Sequence, residues 1–324
     1  MHAVNSNLKP LPTPLRGVIP PLVTPLEHQD AVDHEGLEHL IEHVLAGGVH
    51  GLFLLGTTGE APSLGHAVRH DLIRRACKQV AGRVPVLVGI TDSSPAESIR
   101  LANYAADHGA KALVLAAPFY FPIQQADLLE YLRDIVPQLP LPVFIYNMPT
   151  HTKINFSAET VRQAMALPNV VGLKDSSAGA ACFMQVKNFV RQERPDFSLL
   201  IGPEEMLAES LPLGAHGGVC GGANVFPRLF VDLYDAVLAG NRATAAALQK
   251  QVLKLAETIY ALGTPGYASI RGIKGALASL GICSDCMSSP LQQLDDADRA
   301  HIQRCMAELE LSGRSTLARN VVAK

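Results

Sequence analysis

Short apolar runs rich in valine, isoleucine or leucine recur roughly every 25 to 30 residues, each followed by a stretch whose apolar residues fall at helical spacing. A strand that is apolar throughout must be covered on both faces, and a parallel sheet overlaid by helices meets that condition. Eight runs can be read: Gly17 to Pro25, Gly51 to Gly56, Val84 to Ile90, Ala112 to Pro118, Pro142 to Asn147, Val170 to Asp175, Ser198 to Gly202 and Gly217 to Gly222. Between and after them the spacing predicts helices over Glu35 to Leu45, Ala67 to Val80, Ala96 to His108, Gln125 to Val136, Ala158 to Ala166 and Pro227 to Leu238. An open doubly wound sheet wants a glycine-rich turn after its first strand, whereas here the first run leads into TPLEHQD. The predicted fold is therefore α/β, a (β/α)8 TIM barrel.

Three more helical segments, Ala243 to Leu262, Ser269 to Leu280 and Gln292 to Leu311, exceed what a barrel needs and predict a C-terminal three-helix extension. A length of 324 residues does not force a second domain, since barrels commonly exceed 250 residues as one unit. The predicted layout is a flexible N-terminal arm over 1–14, the barrel over 15–240, and the extension over 241–324 within the same domain.

Bulk properties narrow the partners. A net charge of −3 without a dense Lys/Arg run argues against nucleic acid and anionic membrane surfaces. The N-terminus has no basic-then-apolar leader and no apolar run reaches membrane-spanning length, which reads as a cytoplasmic protein. The six cysteines stand singly apart from Cys283 and Cys286, a pattern suited to a reducing compartment. That lone CxxC lacks the second pair of a zinc ribbon and does not open a helix after a strand, so neither a metal nor a cofactor is expected. Small molecules remain as substrates.

In a closed parallel barrel the strand C-termini share one face, and polar residues there converge on the active site. That rule selects GTTGE with Thr57 and Thr58, PFY with Tyr120, YNMP with Tyr146, and GLKDSS with Lys174. Lys174 follows Val170, Val171, Gly172 and Leu173, so its amine is expected in a poorly hydrated place. Desolvation favours the neutral amine, which can attack a ketone and form an imine that withdraws electrons from the adjacent carbon–carbon bond. The bland alternative is a rim lysine reaching out to solvent. GTTGE offers hydroxyls and a glycine-flanked turn suited to a small carboxylate, or else a helix N-cap with an acidic first turn. Each tyrosine is either a packing residue or, with a threonine and the other tyrosine in line, part of a proton path.

GTTGE, PFY, YNMP and GLKD in this order, on these strand ends, resemble the dihydrodipicolinate synthase and N-acetylneuraminate lyase family of pyruvate-dependent class I lyases, over about Gly17 to Leu280. The resemblance implies Lys174 as the Schiff-base former and Tyr146 as the proton-transferring phenol beside it. It also implies Thr57 and Thr58 as ligands of the pyruvate carboxylate, and Gly202 and Val219 as lining of the pyruvate pocket. Thr57, Tyr120 and Tyr146 look like the family's relay, with Tyr120 contributed across a tight dimer. A homotetramer built as a dimer of dimers is likewise implied.

One departure bears on the substrate. Where synthases of this family carry an arginine two residues after YNxP, this chain has His151, a weaker carboxylate clamp than a guanidinium. The expected substrate is accordingly pyruvate with a 2-keto-3-deoxy or other 4-hydroxy-2-oxo acid. The alternatives are 4-hydroxy-tetrahydrodipicolinate synthase activity with aspartate semialdehyde, or dehydration of a keto-deoxy sugar acid. His151 could equally be a surface histidine. Phe119 replaces the first of two neighbouring tyrosines, which reads as a packing change. Of the rivals from other classes, a metal-dependent barrel would want an HxH pair, which the chain lacks; His34, His39 and His43 read as a solvated helix face. A phosphate-binding barrel could use HGGVCGGAN but would leave Lys174, Tyr146 and GTTGE unexplained.

Overall fold

The computed structural model describes residues 10–263 and 266–321, with side chains up to residue 309. Among these, the strands are β1 (Gly17–Val18), β2 (Leu26–His28), β3 (Ala31–Val32), β4 (Leu52–Leu54), β5 (Val86–Gly89), β6 (Ala112–Ala116), β7 (Val143–Asn147), β8 (Val170–Asp175), β9 (Ser198–Ile201) and β10 (Gly217–Gly218). The strands β2 and β3 form a small hairpin, and the other eight form one parallel sheet in the order β1-β10-β9-β8-β7-β6-β5-β4. Its two ends meet. Pro21 bridges Phe53 in parallel, Phe53 N–H donates to Pro20 O at 3.0 Å and Leu22 N–H to Phe53 O at 2.9 Å. The sheet thus curls into a TIM barrel.

The first and last predicted strands are shorter than the apolar runs suggested. Pro20 and Pro21 have no N–H to give, so ladder pairing of the first run stops after Val18. In the last run, Gly221–Asn224 winds into a tight helical turn, and Gly222 N–H is held by the Glu204 carboxylate at 2.9 Å.

The helices are α1 (His34–Ala46), α2 (His66–Val80), α3 (Pro95–Asp107), α4 (Gln125–Ile135), α5 (Pro149–Thr152), α6 (Ala158–Met165), α7 (Ala180–Glu193), α8 (Leu207–Leu213), α9 (Pro227–Leu238), α10 (Arg242–Thr258), α11 (Ala268–Ser279) and α12 (Asp296–Val321). Local sequence explains them, as α1 illustrates. Asp33 caps Gly36 N–H at 2.8 Å, which stabilises the helix by about 1 kcal/mol. Leu37, Leu40, Ile41 and Val44 then fall on one stripe and are buried against the sheet layer, each stabilising by roughly 1.5–3 kcal/mol.

Inside the barrel Ile19, Phe53, Leu87, Val114, Phe144 and Leu200 interlock. Gly172 is required there, because a Cβ at that position would stand 2.4 Å from the Phe144 ring. Of the arm expected over 1–14, residues 1–9 lie outside the described residues, and Leu11 packs partly against this inner cluster. In the C-terminal region α12 packs on α10 and α11, with Arg271 paired to Asp298 at 2.6 Å. No described helix is long and apolar enough to cross a membrane.

Candidate active site

Parallel pairing puts Tyr146 of β7 directly beside Lys174 of β8. Both side chains turn to the barrel mouth and both residues are buried, at 7% and 5% exposure. The Lys174 Nζ lies 4.0 Å from the centroid of the Tyr146 ring and 4.9 Å from that of Phe53. An ammonium over two aromatic faces is held by their negative quadrupole while most water is excluded. Thr57 Oγ1 lies 3.4 Å from the Tyr146 hydroxyl. Burial pushes the Tyr146 phenol up, but the Lys174 charge, followed by hydrogen bonds from Thr57, Ser176 and Lys174, outweighs it and leaves the pKa below the ordinary phenol value. A phenol so placed gives up its proton more readily than a free one.

Thr57 and Thr58 stand on the turn after β4, where Glu60 N–H donates to Thr57 O at 3.0 Å and Thr24 Oγ1 donates to Gly59 O at 2.7 Å. The expected alternative for this motif, a helix cap with an acidic first turn, is not what Glu60 does. It precedes a short 3-10 turn without capping it, and its side chain is buried in an ion pair with Lys274 of α11.

One cavity of about 310 Å³ at the strand C-termini gathers Lys174, Tyr146, Thr57, Thr58, Gly202, Val219 and His151. Gly202 matters by its lack of a side chain, since a Cβ would fall 1.8 Å from Ser176 Oγ. His151 reaches the cavity from α5, and Thr150 Oγ1 lies 3.0 Å from its Nδ1. Burial lowers its pKa; a Gly266 backbone hydrogen bond raises it, and the Lys174 charge lowers it further, for a net decrease. The shift favours the neutral imidazole.

Tyr120 is not brought to this cavity within one chain. It is 75% exposed and makes an edge-on contact with Phe121, itself 74% exposed. Phe119 lines a second, mainly apolar cavity of about 260 Å³ that meets the first at Thr57, Tyr146, Met148 and His151.

The sequence pattern missed several lining residues. Ser176 follows Lys174 by two positions and was visible only as part of GLKDSS. Glu204 and Glu205 lie just beyond β9, while Tyr260, Ser269, Ile270 and Ile273 come from the C-terminal region, where no strand-end rule applies. Glu204 accepts from Tyr260 OH at 2.6 Å and Gly222 N–H at 2.9 Å. Burial pushes its carboxyl up to about 7, against those two hydrogen bonds and with help from the Glu205 charge. Among the described residues, no three His, Cys, Asp or Glu side chains group to hold a metal. The glycine-rich stretch after β10 has Gly222 N–H committed to Glu204, which leaves the phosphate-cradle alternative weaker.

Comparison with known proteins places these features in a family. The model of the dihydrodipicolinate synthetase family matches residues 14–309. A dihydrodipicolinate synthase structure from Bacteroides thetaiotaomicron is 49% identical, superposes with a TM-score of 0.88, and covers 91% of this chain and 99% of its own. YagE, a prophage protein of Escherichia coli K12 belonging to the dihydrodipicolinic acid synthase family and solved with pyruvate, is 30% identical with a TM-score of 0.85, over 91% of this chain and 99% of its own. The "Probable 2-dehydro-3-deoxy-D-pentonate aldolase YjhH" of Escherichia coli K12 is 34% identical over 288 residues, 88% of this chain and 95% of that protein.

Proposed function

This chain belongs to the dihydrodipicolinate synthetase family and is a lyase of the aldolase class, and from that premise we propose that it works through an imine between Lys174 and pyruvate. One observation carries the reading: the buried Lys174 amine faces Tyr146 in a cavity that Thr57 and Thr58 also line. The solved pyruvate complex of the relative YagE supports the same keto acid here.

In the cleavage direction, the Lys174 ammonium first loses a proton, the amine adds to C2 of the keto acid, and loss of water gives an imine. Thr57 and Thr58 hold the C1 carboxylate. A base removes the proton from the 4-hydroxyl, the C3–C4 bond breaks, its electron pair moves to the protonated imine nitrogen, and an aldehyde departs. Tyr146 is placed to carry that proton and later to return one to C3 of the enamine. Water then hydrolyses the imine, releasing pyruvate and the free amine. Tyr120 completes the relay from a partner chain in a tight dimer, which gives its exposed ring a use; the assembly is a dimer of such dimers, in the cytoplasm.

The cavity favours a 2-keto-3-deoxy sugar acid over aspartate semialdehyde. Among its described lining residues Lys174 is the only lysine or arginine, so a second carboxylate finds no cation. Glu205, Ser269 and His151 offer partners to hydroxyl groups instead. The 49% identity to a dihydrodipicolinate synthase favours the second reading, condensation of pyruvate with aspartate semialdehyde. Assaying a panel of 2-keto-3-deoxy acids for pyruvate release, and aspartate semialdehyde for pyruvate uptake, separates them. Release from a keto-deoxy acid, with no uptake, is the expected result.

A further inference from the structure

Glu60 closes the turn that carries Thr57 and Thr58, and it does so in a left-handed backbone conformation with φ of 57°. A non-glycine residue stays there only when its surroundings hold it. What holds it comes from the far end of the chain. Its Oε2 accepts from Ser288 N–H at 2.7 Å and from Ser288 Oγ at 2.8 Å, and its Oε1 forms an ion pair with the Lys274 ammonium. Lys274 donates in addition to Cys286 O at 2.6 Å. Both charged side chains are 0% exposed. A second tie lies alongside, where Ser284 Oγ donates to Leu26 O at 2.6 Å.

A buried ion pair contributes little net stability compared with an apolar pair of the same size, and its best-attested use is to fix one geometry. Here that geometry lies next to the substrate. The helix carrying Lys274 also supplies Ser269, Ile270 and Ile273 to the wall of the cavity that Thr57 and Thr58 line. The geometry points to Lys274 as a positioning residue: through Glu60 and Ser288 it locks the turn of Thr57 and Thr58 in the carboxylate-binding form and fixes its distance from α11. The C-terminal region is thereby part of the binding apparatus. This inference rests on the proposed role of Thr57 and Thr58 as carboxylate ligands.

The test is borohydride trapping of pyruvate on the wild-type chain, Lys274→Met and Ser288→Ala, as a function of pyruvate concentration, with a melting temperature for each. Lys274→Met raises the pyruvate concentration for half-maximal trapping by on the order of ten-fold and Ser288→Ala by about three-fold, while the trapped plateau stays at the wild-type level, because the amine itself is untouched. A brace serving stability alone would lower the melting temperature and leave half-saturation at the wild-type value, which overturns the inference. Ser288→Ala keeps the ion pair and the backbone bond to Glu60, so it decides the matter should Lys274→Met fail to fold. A wild-type chain that gives no adduct overturns the imine reading and this inference together; variants that match a reactive wild type overturn this inference alone.

Discussion

Tyr146 and Lys174 face each other across adjacent parallel strands, with the ammonium nitrogen 4.0 Å from the centre of the phenol ring. The phenol has a lowered pKa because it shares its site with that charge and with the Thr57 hydroxyl, burial acting the other way. In the proposed reaction one group bonds to the keto carbon and the other moves protons. Tyr146→Phe is therefore expected to lower kcat on the best keto-deoxy acid by on the order of a hundred-fold or more, while pyruvate remains trappable on Lys174. Steady-state kinetics with adduct mapping check this, and a kcat near the wild-type value would remove Tyr146 from the relay.

His151 stands where both cavities meet, and its pKa lies below the ordinary imidazole value. His151→Arg introduces a fixed cation with bidentate reach into a wall that has none but Lys174. Turnover of the preferred hydroxylated acid should fall by about ten-fold in kcat/KM and that of aspartate semialdehyde should rise. If both stay as in the wild type, the side chain does not touch substrate.

Glu204 gives a pH signature in stability. Its folded carboxyl is pushed up to about 7 from 4.5, so the folded chain holds a proton that the unfolded chain releases. The protonated form is fully favourable below about 4.5, and the advantage is lost as pH rises to about 7, a change on the order of 3 kcal/mol. Glu204→Gln mimics the protonated acid and lacks that loss. Urea unfolding at acidic and alkaline pH should show the variant gaining on the wild type as pH rises; a constant difference contradicts the assignment.

Tyr120 tests the dimer. Tyr120→Phe is expected to lower kcat by about ten-fold. If the hydroxyl acts across an interface, mixing Tyr120→Phe with Lys174→Ala chains creates sites with an intact amine and a partner's intact hydroxyl. Activity above that of either parent is the expected outcome, and the simple average of the two argues for action within one chain or none.

The barrel was legible because buried parallel strands are written as uninterrupted apolar runs, and Val170–Asp175 appears at its expected bounds. Helix ends came within a residue or two where caps such as Asp33 and Ser157 mark them. Pro20 and Pro21 shortened the first strand in a way the apolar run concealed. In the candidate site, Lys174, Tyr146, Thr57 and Thr58 share a cavity because strand-end position fixes where a side chain goes, and Gly202 and Val219, which the family resemblance implied, line it too. Glu204, Tyr260 and Ser269 follow from how loops and C-terminal helices pack, which no local spacing encodes. The role of Glu60 was hidden for the same reason, since its partners Lys274 and Ser288 are remote in sequence. Tyr120, expected in the relay, stands on the surface of the single chain.

Incubating the chain with pyruvate and borohydride and mapping the product by mass spectrometry decides whether Lys174 forms the imine. The expected result is a gain of one pyruvate less one water plus two hydrogens, confined to the peptide bearing Lys174 and absent from a folded Lys174→Met chain that has also lost turnover. An unmodified Lys174 under these conditions, or a Lys174→Met chain that turns substrate over at the wild-type rate, would contradict it.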